Sequence, residues 1–152
     1  MLYALVLGVH VCAMMLALLS FVAAEILLAL ARRGRREPAK MALIASGFGN
    51  TVVGPGVLAG VVLVFVGGWS IGNPWLLMSL GLIAALMMVR RVFVDPWEAR
   101  VQSALQGEVP IAEITMFAQE RAAFLGRATV IALFAVVAAL MVAKPVFSGL
   151  SA

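Results

Sequence analysis

Four stretches, roughly Leu2 to Ala31, Met41 to Val66, Pro74 to Val94 and Ala128 to Val146, are apolar almost without interruption. A hydrocarbon core of about 30 Å needs about 20 helical residues, at a rise of about 1.5 Å each, and every run is of that order. In hydrocarbon the backbone must satisfy its own hydrogen bonds, so runs of this kind fold as helix. Together they fill most of the 152 residues. The pattern predicts an all-α fold, a polytopic membrane four-helix bundle forming one transmembrane domain over 1–152, with no room for a separate catalytic domain.

Composition agrees. The chain is 64% hydrophobic and only 12% charged, with a mean hydropathy of +1.13, far from the balance of a soluble domain. The first run lacks a basic start, is too long for a signal-peptide core, and carries its arginines at the far end, so it is expected to stay in the membrane. The single cysteine, Cys12, excludes an intramolecular disulfide. A net charge of +4 would suggest nucleic acid in a soluble protein. Here the basic residues flank apolar runs, so orientation explains them and no nucleic-acid partner is expected; the partner is the lipid bilayer.

The connection "RRGRREPAK" holds Arg32, Arg33, Arg35, Arg36 and Lys40 against Glu37, whereas "GGWSIGNP" holds no charge. The positive-inside rule places the first loop in the cytoplasm, and Arg90, Arg91 and Arg127 then fall on the same side. Both termini are therefore expected outside, in a bacterial cytoplasmic (inner) membrane. Tyr3, Trp69 and Trp75 are assigned to the outer boundary and Trp97 to the inner one.

One polar stretch of any length remains, the cytoplasmic segment 95–124. Asp95, Pro96 and Glu98 read as a helix start with an N-cap, a first-turn proline and a reciprocal N3 partner, and Gly107 as its stop. A second helix is expected from Pro110 into the fourth span, with Ile114, Phe117, Arg121 and Phe124 on one face.

Polar groups inside the spans are expensive, and each is a functional candidate until explained. His10 and Met14 lie one turn apart on one face of the first helix, and Cys12 points elsewhere. Imidazole with soft sulfur suits Cu(I) or haem iron, so His10 is a candidate metal or cofactor ligand with Met14 beside it. The plain alternative is that His10 hydrogen-bonds a neighbouring helix while Cys12, Met14 and Met15 pack. Glu25, about 22 Å of helix beyond His10, is expected near the inner interface, paired with Arg127, Arg90 or Arg91. The second helix contains "SGFGNTVVGPGVLAG", in which Ser46, Asn50 and Gly54 follow one face and Gly56 with Gly60 form a small-xxx-small pair for close helix approach. Pro55 lacks an amide donor and is expected to kink this helix, either for packing or to line a pocket opposite His10. There is no phosphate-binding glycine loop, zinc-ligand spacing or catalytic triad.

The sequences "MLYALVLGVHV" and "VVGPGVLAGVVLVFVGGWSIGNPWLLMSL", separated by the basic loop, resemble the bacterial integral membrane family catalogued as domain of unknown function 2269, over essentially the whole chain. That family is similar in architecture to the copper-resistance D membrane family and the J-type protoporphyrinogen oxidase. The resemblance implies a four-helix bundle whose His10 faces a b-type haem or a copper ion. The oxidase's helix-three lysine has no counterpart, since no lysine lies between Lys40 and Lys144. Three functions stand open: a haem- or copper-associated membrane protein acting through His10; a non-enzymatic accessory or scaffold subunit of a membrane complex or homo-oligomer; and a small transporter using Glu25, Asn50 and the Pro55 kink.

Overall fold

The computed structural model describes residues 1–33, 35–107 and 120–143. Among them the regular structure is entirely helical: α1 (Leu2–Ala31), α2 (Arg36–Val66), α3 (Pro74–Val89), a π-helical turn (Arg90–Val94), α4 (Asp95–Gln106) and α5 (Arg121–Ala143). Four helical stretches are long and apolar enough to cross a membrane: α1, α2, the continuous stretch Pro74–Gln106, and α5. The first three expected spans, and the fourth as far as Ala143, lie within them, but α2 starts at Arg36 rather than Met41. The expected end of the fourth span, 144–146, and the residues Pro110, Ile114 and Phe117 lie outside the described residues.

α1 and α2 form an antiparallel pair whose contact seam has a period of 3.5 residues. On α1 the buried positions are His10, Ala13, Ala17, Phe21, Ala24, Leu28 and Ala31; on α2 they are Ala39, Ala42, Ser46, Gly49 and Gly56, with Val53 packed against the core. Ala31 meets Ala39, Phe21 meets Gly49, Met14 meets Gly56 and His10 meets Gly60, so each pair of residue numbers adds to 70. A 3.5-residue period keeps one stripe of each helix facing the other along its whole length. The stripe is built of small residues because in lipid close backbone approach, rather than exclusion of water, is what holds two helices together.

This seam corrects the expected α2 face. Ser46 belongs to it, but Asn50 and Gly54 are exposed, and a side chain added at Gly54 would meet nothing within 4 Å. Pro55 is likewise exposed, within an uninterrupted helix. The pocket expected between His10 and Pro55 is therefore replaced by contact between His10 and the Gly56–Gly60 stripe.

The turn after α2 is a Schellman closure: Trp69 N–H donates to Val64 O at 3.0 Å and Gly68 N–H to Phe65 O at 3.2 Å. Gly68 takes φ +65°, which a glycine adopts without steric cost. Trp69 then meets Trp75 edge to face, with centroids 5.6 Å apart, and Pro74 opens α3 at its first turn.

Asp95 does not start a new helix. Its φ and ψ are −60° and −43°, its N–H bonds Arg90 O five residues back, and the helix runs on from Pro74 to Gln106. Pro96 explains the wide turn: it has no N–H to offer Val92 and its ring crowds that carbonyl, which a π-helical turn relieves without ending the helix. Gly107 does end α4, its N–H bonded to Ser103 O at 3.1 Å.

Two apolar clusters hold the halves together. Ala17 and Phe21 pack with Leu86, Val94, Val130 and Phe134, and the Phe21 and Phe134 rings meet edge to face at 6.3 Å. Leu28 and Ala42 pack with Trp97, Val101 and Ala123. Trp97, expected at the inner boundary, packs on protein rather than facing outward: at 1% exposure it is among the most buried side chains described.

Candidate functional site

The polar residues of the apolar helices fall into two groups. The first is the His10 end of the α1–α2 seam. His10 is buried, and its Nδ1 lies 2.7 Å from Gly56 O. The neutral tautomer with Nδ1–H donates that bond, leaving Nε2 as the remaining ring acceptor. Gly60 makes the arrangement sterically feasible: a Cβ there would lie 2.9 Å from His10 Cε1 and 3.1 Å from Nδ1. Met14 is the next side chain along the seam, its thioether against Gly56.

His10 and Met14 therefore share a face and both turn into the seam. Cys12 and Met15 are exposed. A porphyrin between α1 and α2 would have to part helices that are already in contact at Gly56 and Gly60. Among the described residues, no three His, Cys, Asp or Glu side chains are grouped as metal ligands. As arranged, the residues do not fit a haem or a complete copper sphere, and His10 acts as a tie between two helices.

The second group lies where α1, α2, the π-helical turn, α4 and α5 converge. Glu25 of α1 accepts a hydrogen bond from Arg127 Nε of α5. Arg90 Nη2 donates to Glu98 Oε2 at 2.9 Å, and Arg90 Nε is 3.1 Å from Asp95 Oδ1. The Ser46 hydroxyl donates to the other Glu98 oxygen. Both arginines also lie over aromatic rings, Arg127 over Trp97 at 4.1 Å and Arg90 over Phe21 at 5.7 Å. Arg90 and Arg127 are buried and Asp95 is the most exposed of the carboxylates.

This junction follows from the local chain. The π-helical turn shifts Arg90 relative to Glu98 and lets one guanidinium reach both Asp95 and Glu98. Ser46 occupies a seam position, so its hydroxyl points away from lipid. Glu25 lies beside the seam residue Ala24, opposite α5. Arg127 presents two terminal nitrogens that are buried without hydrogen-bond partners among the described residues; stacking on Trp97 supplies the electrostatic compensation, since a guanidinium is weakly hydrated and lies favourably on an aromatic face. A narrow cavity, with room for about one water molecule, adjoins this junction and is lined by Glu25, Ser46, Arg90, Trp97, Glu98 and Arg127 among others.

Of the sequence candidates, the structure brings together Glu25 with Arg127, and His10 with Met14, Gly56 and Gly60. It leaves Asn50 and Gly54 outside both groups. Glu98, Ser46 and Trp97 are junction residues that the sequence reading put to other uses: a capping partner, an α2 face and a boundary aromatic. The available signal was the spacing of Ser46 along α2, which falls in the small-residue heptad.

No family model matches the chain, and no curated protein or solved structure matches it.

Proposed function

We propose that this is a non-enzymatic accessory or scaffold protein of the bacterial cytoplasmic membrane, a four-helix bundle with both termini outside and a rigid cytoplasmic platform built from α4 and the inner ends of α1 and α2. The observation that carries the reading is the length of the helices beyond what a bilayer requires. α1 has 30 residues, α2 has 31 and Pro74–Gln106 has 33, or about 45 to 50 Å against a core of about 30 Å. The overhang has its own interior, with Trp97 and Val101 of α4 packed with Leu28 and Ala42, and Leu105 packed against Ala31 and Ala39.

The outer face of α4 is polar, with Arg100, Gln102 and Ser103 exposed; Arg100 is held to Glu120 at 3.0 Å. The ion-pair junction fastens this platform to the spans. The same geometry speaks against a conduit, since Glu25 is engaged by Arg127 and the adjoining cavity is no wider than a water. The resemblance to the unknown-function family 2269 enters as a proposal of the same kind, for its architecture rather than its cofactor.

The test is site-specific photocrosslinking in cells, with the probe at Gln102 or Ser103 and, as control, at lipid-facing Leu58. Discrete adducts from the α4 positions, unchanged by His10→Leu, are expected. Adducts absent from both positions, or lost on His10→Leu in a protein that still folds, would sink the reading.

A further inference from the structure

Between α2 and the inner end of α3 the helices part, leaving an open groove lined by Asn50, Met87, Met88, Arg90, Arg91 and Asp95. Met87 and Met88 are exposed apolar side chains, and Asn50 and Arg91 are exposed polar ones. Arg90 forms the floor, tied to Asp95 and Glu98. Arg91 has no ion-pair partner among the described residues.

A gap between two membrane-crossing helices does not stay empty, because its walls would lose dispersion contacts on both sides. Its polarity is graded with depth. Asn50 lies 16 residues, about 24 Å, from the outer end of α2 at Val66, close to where a core of about 30 Å ends. Arg91 and Asp95 thus fall near the headgroup boundary, and Met87 and Met88 lie about one turn further into the acyl region. Arg90 is already engaged by Asp95 and Glu98, so Arg91 is the lining's one cation without an ion-pair partner among the described residues, and one phosphodiester charge matches it.

We propose that this groove seats one anionic phospholipid from the leaflet on the α4 side. Its phosphate accepts from the Arg91 guanidinium and the Asn50 amide, a headgroup hydroxyl donates to the Asp95 carboxylate, and an acyl chain lies along Met87 and Met88. A second copy of this chain suits the groove less well: a two-fold contact there sets Arg91 against its own mate, with each Asp95 already bonded to Arg90. The proposal is independent of the scaffold reading.

The experiment uses the full-length protein, purified and delipidated in mild detergent, with thermal unfolding and native mass spectrometry as readouts. Phosphatidylglycerol, phosphatidylcholine and inorganic phosphate are added in turn. Phosphatidylglycerol is expected to bind one per chain and raise the unfolding midpoint, and its affinity is expected to fall about fivefold in Arg91→Gln, the effect of one basic residue at a membrane surface. Arg33→Gln, an exposed loop arginine, serves as the control for general charge and is expected to leave affinity unchanged. Equal binding by Arg91→Gln, an equal loss in Arg33→Gln, or phosphatidylcholine matching phosphatidylglycerol would overturn the proposal. So would an equal shift from inorganic phosphate, or a dimer in delipidated protein that Asn50→Leu converts to monomer.

Discussion

Gly54 and Gly60 sit on the same helix and differ in one respect: what an added methyl group would meet. At Gly54 it meets nothing within 4 Å; at Gly60 it comes within 2.9 Å of His10 Cε1 and 3.1 Å of Nδ1. The His10 ring is the far end of a side chain and would ordinarily swing aside, but its Nδ1 is held 2.7 Å from Gly56 O. Gly60→Ala must therefore break that bond or spread the seam. Overpacking of this kind costs about 1–3 kcal/mol, and a hydrogen bond between membrane helices contributes about 0.6 kcal/mol. The gain in helix propensity from glycine to alanine, about 1 kcal/mol, is common to both variants and cancels. Gly60→Ala should thus be less stable than Gly54→Ala by about 1.6–3.6 kcal/mol, read by denaturant titration in mixed micelles. In a His10→Ala background the ring is gone, and Gly60→Ala should then behave like Gly54→Ala. Equal stability of the two single variants, or no recovery in the His10→Ala background, would refute the account of the seam.

Other consequences concern the junction. Arg127→Leu leaves the half-buried Glu25 without its cation and should destabilise by up to about 3 kcal/mol, the low end for breaking a buried pair, whereas Arg127→Leu combined with Glu25→Leu should recover much of that loss; the same titration of both variants decides it. Trp97→Ala removes a fully buried ring and should cost about 3–5 kcal/mol, while Trp69→Ala at the exposed turn should cost far less. In a protein retaining only Trp97, brominated lipid should quench its fluorescence weakly; strong quenching would mean that Trp97 faces outward.

The long elements were legible because hydrocarbon imposes a simple rule, about 20 apolar residues per crossing, and four runs met it. The α1 limits coincide with the expected span for that reason. Boundaries failed where polarity changes without the helix ending. Asp95, Pro96 and Glu98 have the composition of a helix start, yet a π-helical turn absorbs the proline, and a buried Arg90 draws both carboxylates sideways. Hydropathy could not reveal which α2 face packs, because that helix is apolar nearly all round. The information lay in side-chain size: Ala39, Ala42, Ser46, Gly49, Gly56 and Gly60 recur with the period of the seam, while Gly54, equally small, falls off it. His10 was conspicuous for its chemistry, but its role depends on what Gly56 and Gly60 leave open beside it. The Glu25–Arg127 contact joins positions 102 residues apart, and only charge economy in lipid hinted at it.

If His10 only ties α1 to α2 through Gly56, no cofactor should travel with the protein. The most direct measurement is the dithionite-reduced minus oxidised visible spectrum, with metal content, of purified wild-type protein beside His10→Leu. A spectrum without a Soret shift or α-band in either protein, no stoichiometric copper, and a His10→Leu variant that folds with reduced stability are expected. A Soret shift and α-band, or one bound copper per chain, present in the wild type and lost in a folded His10→Leu variant, would contradict this role of His10.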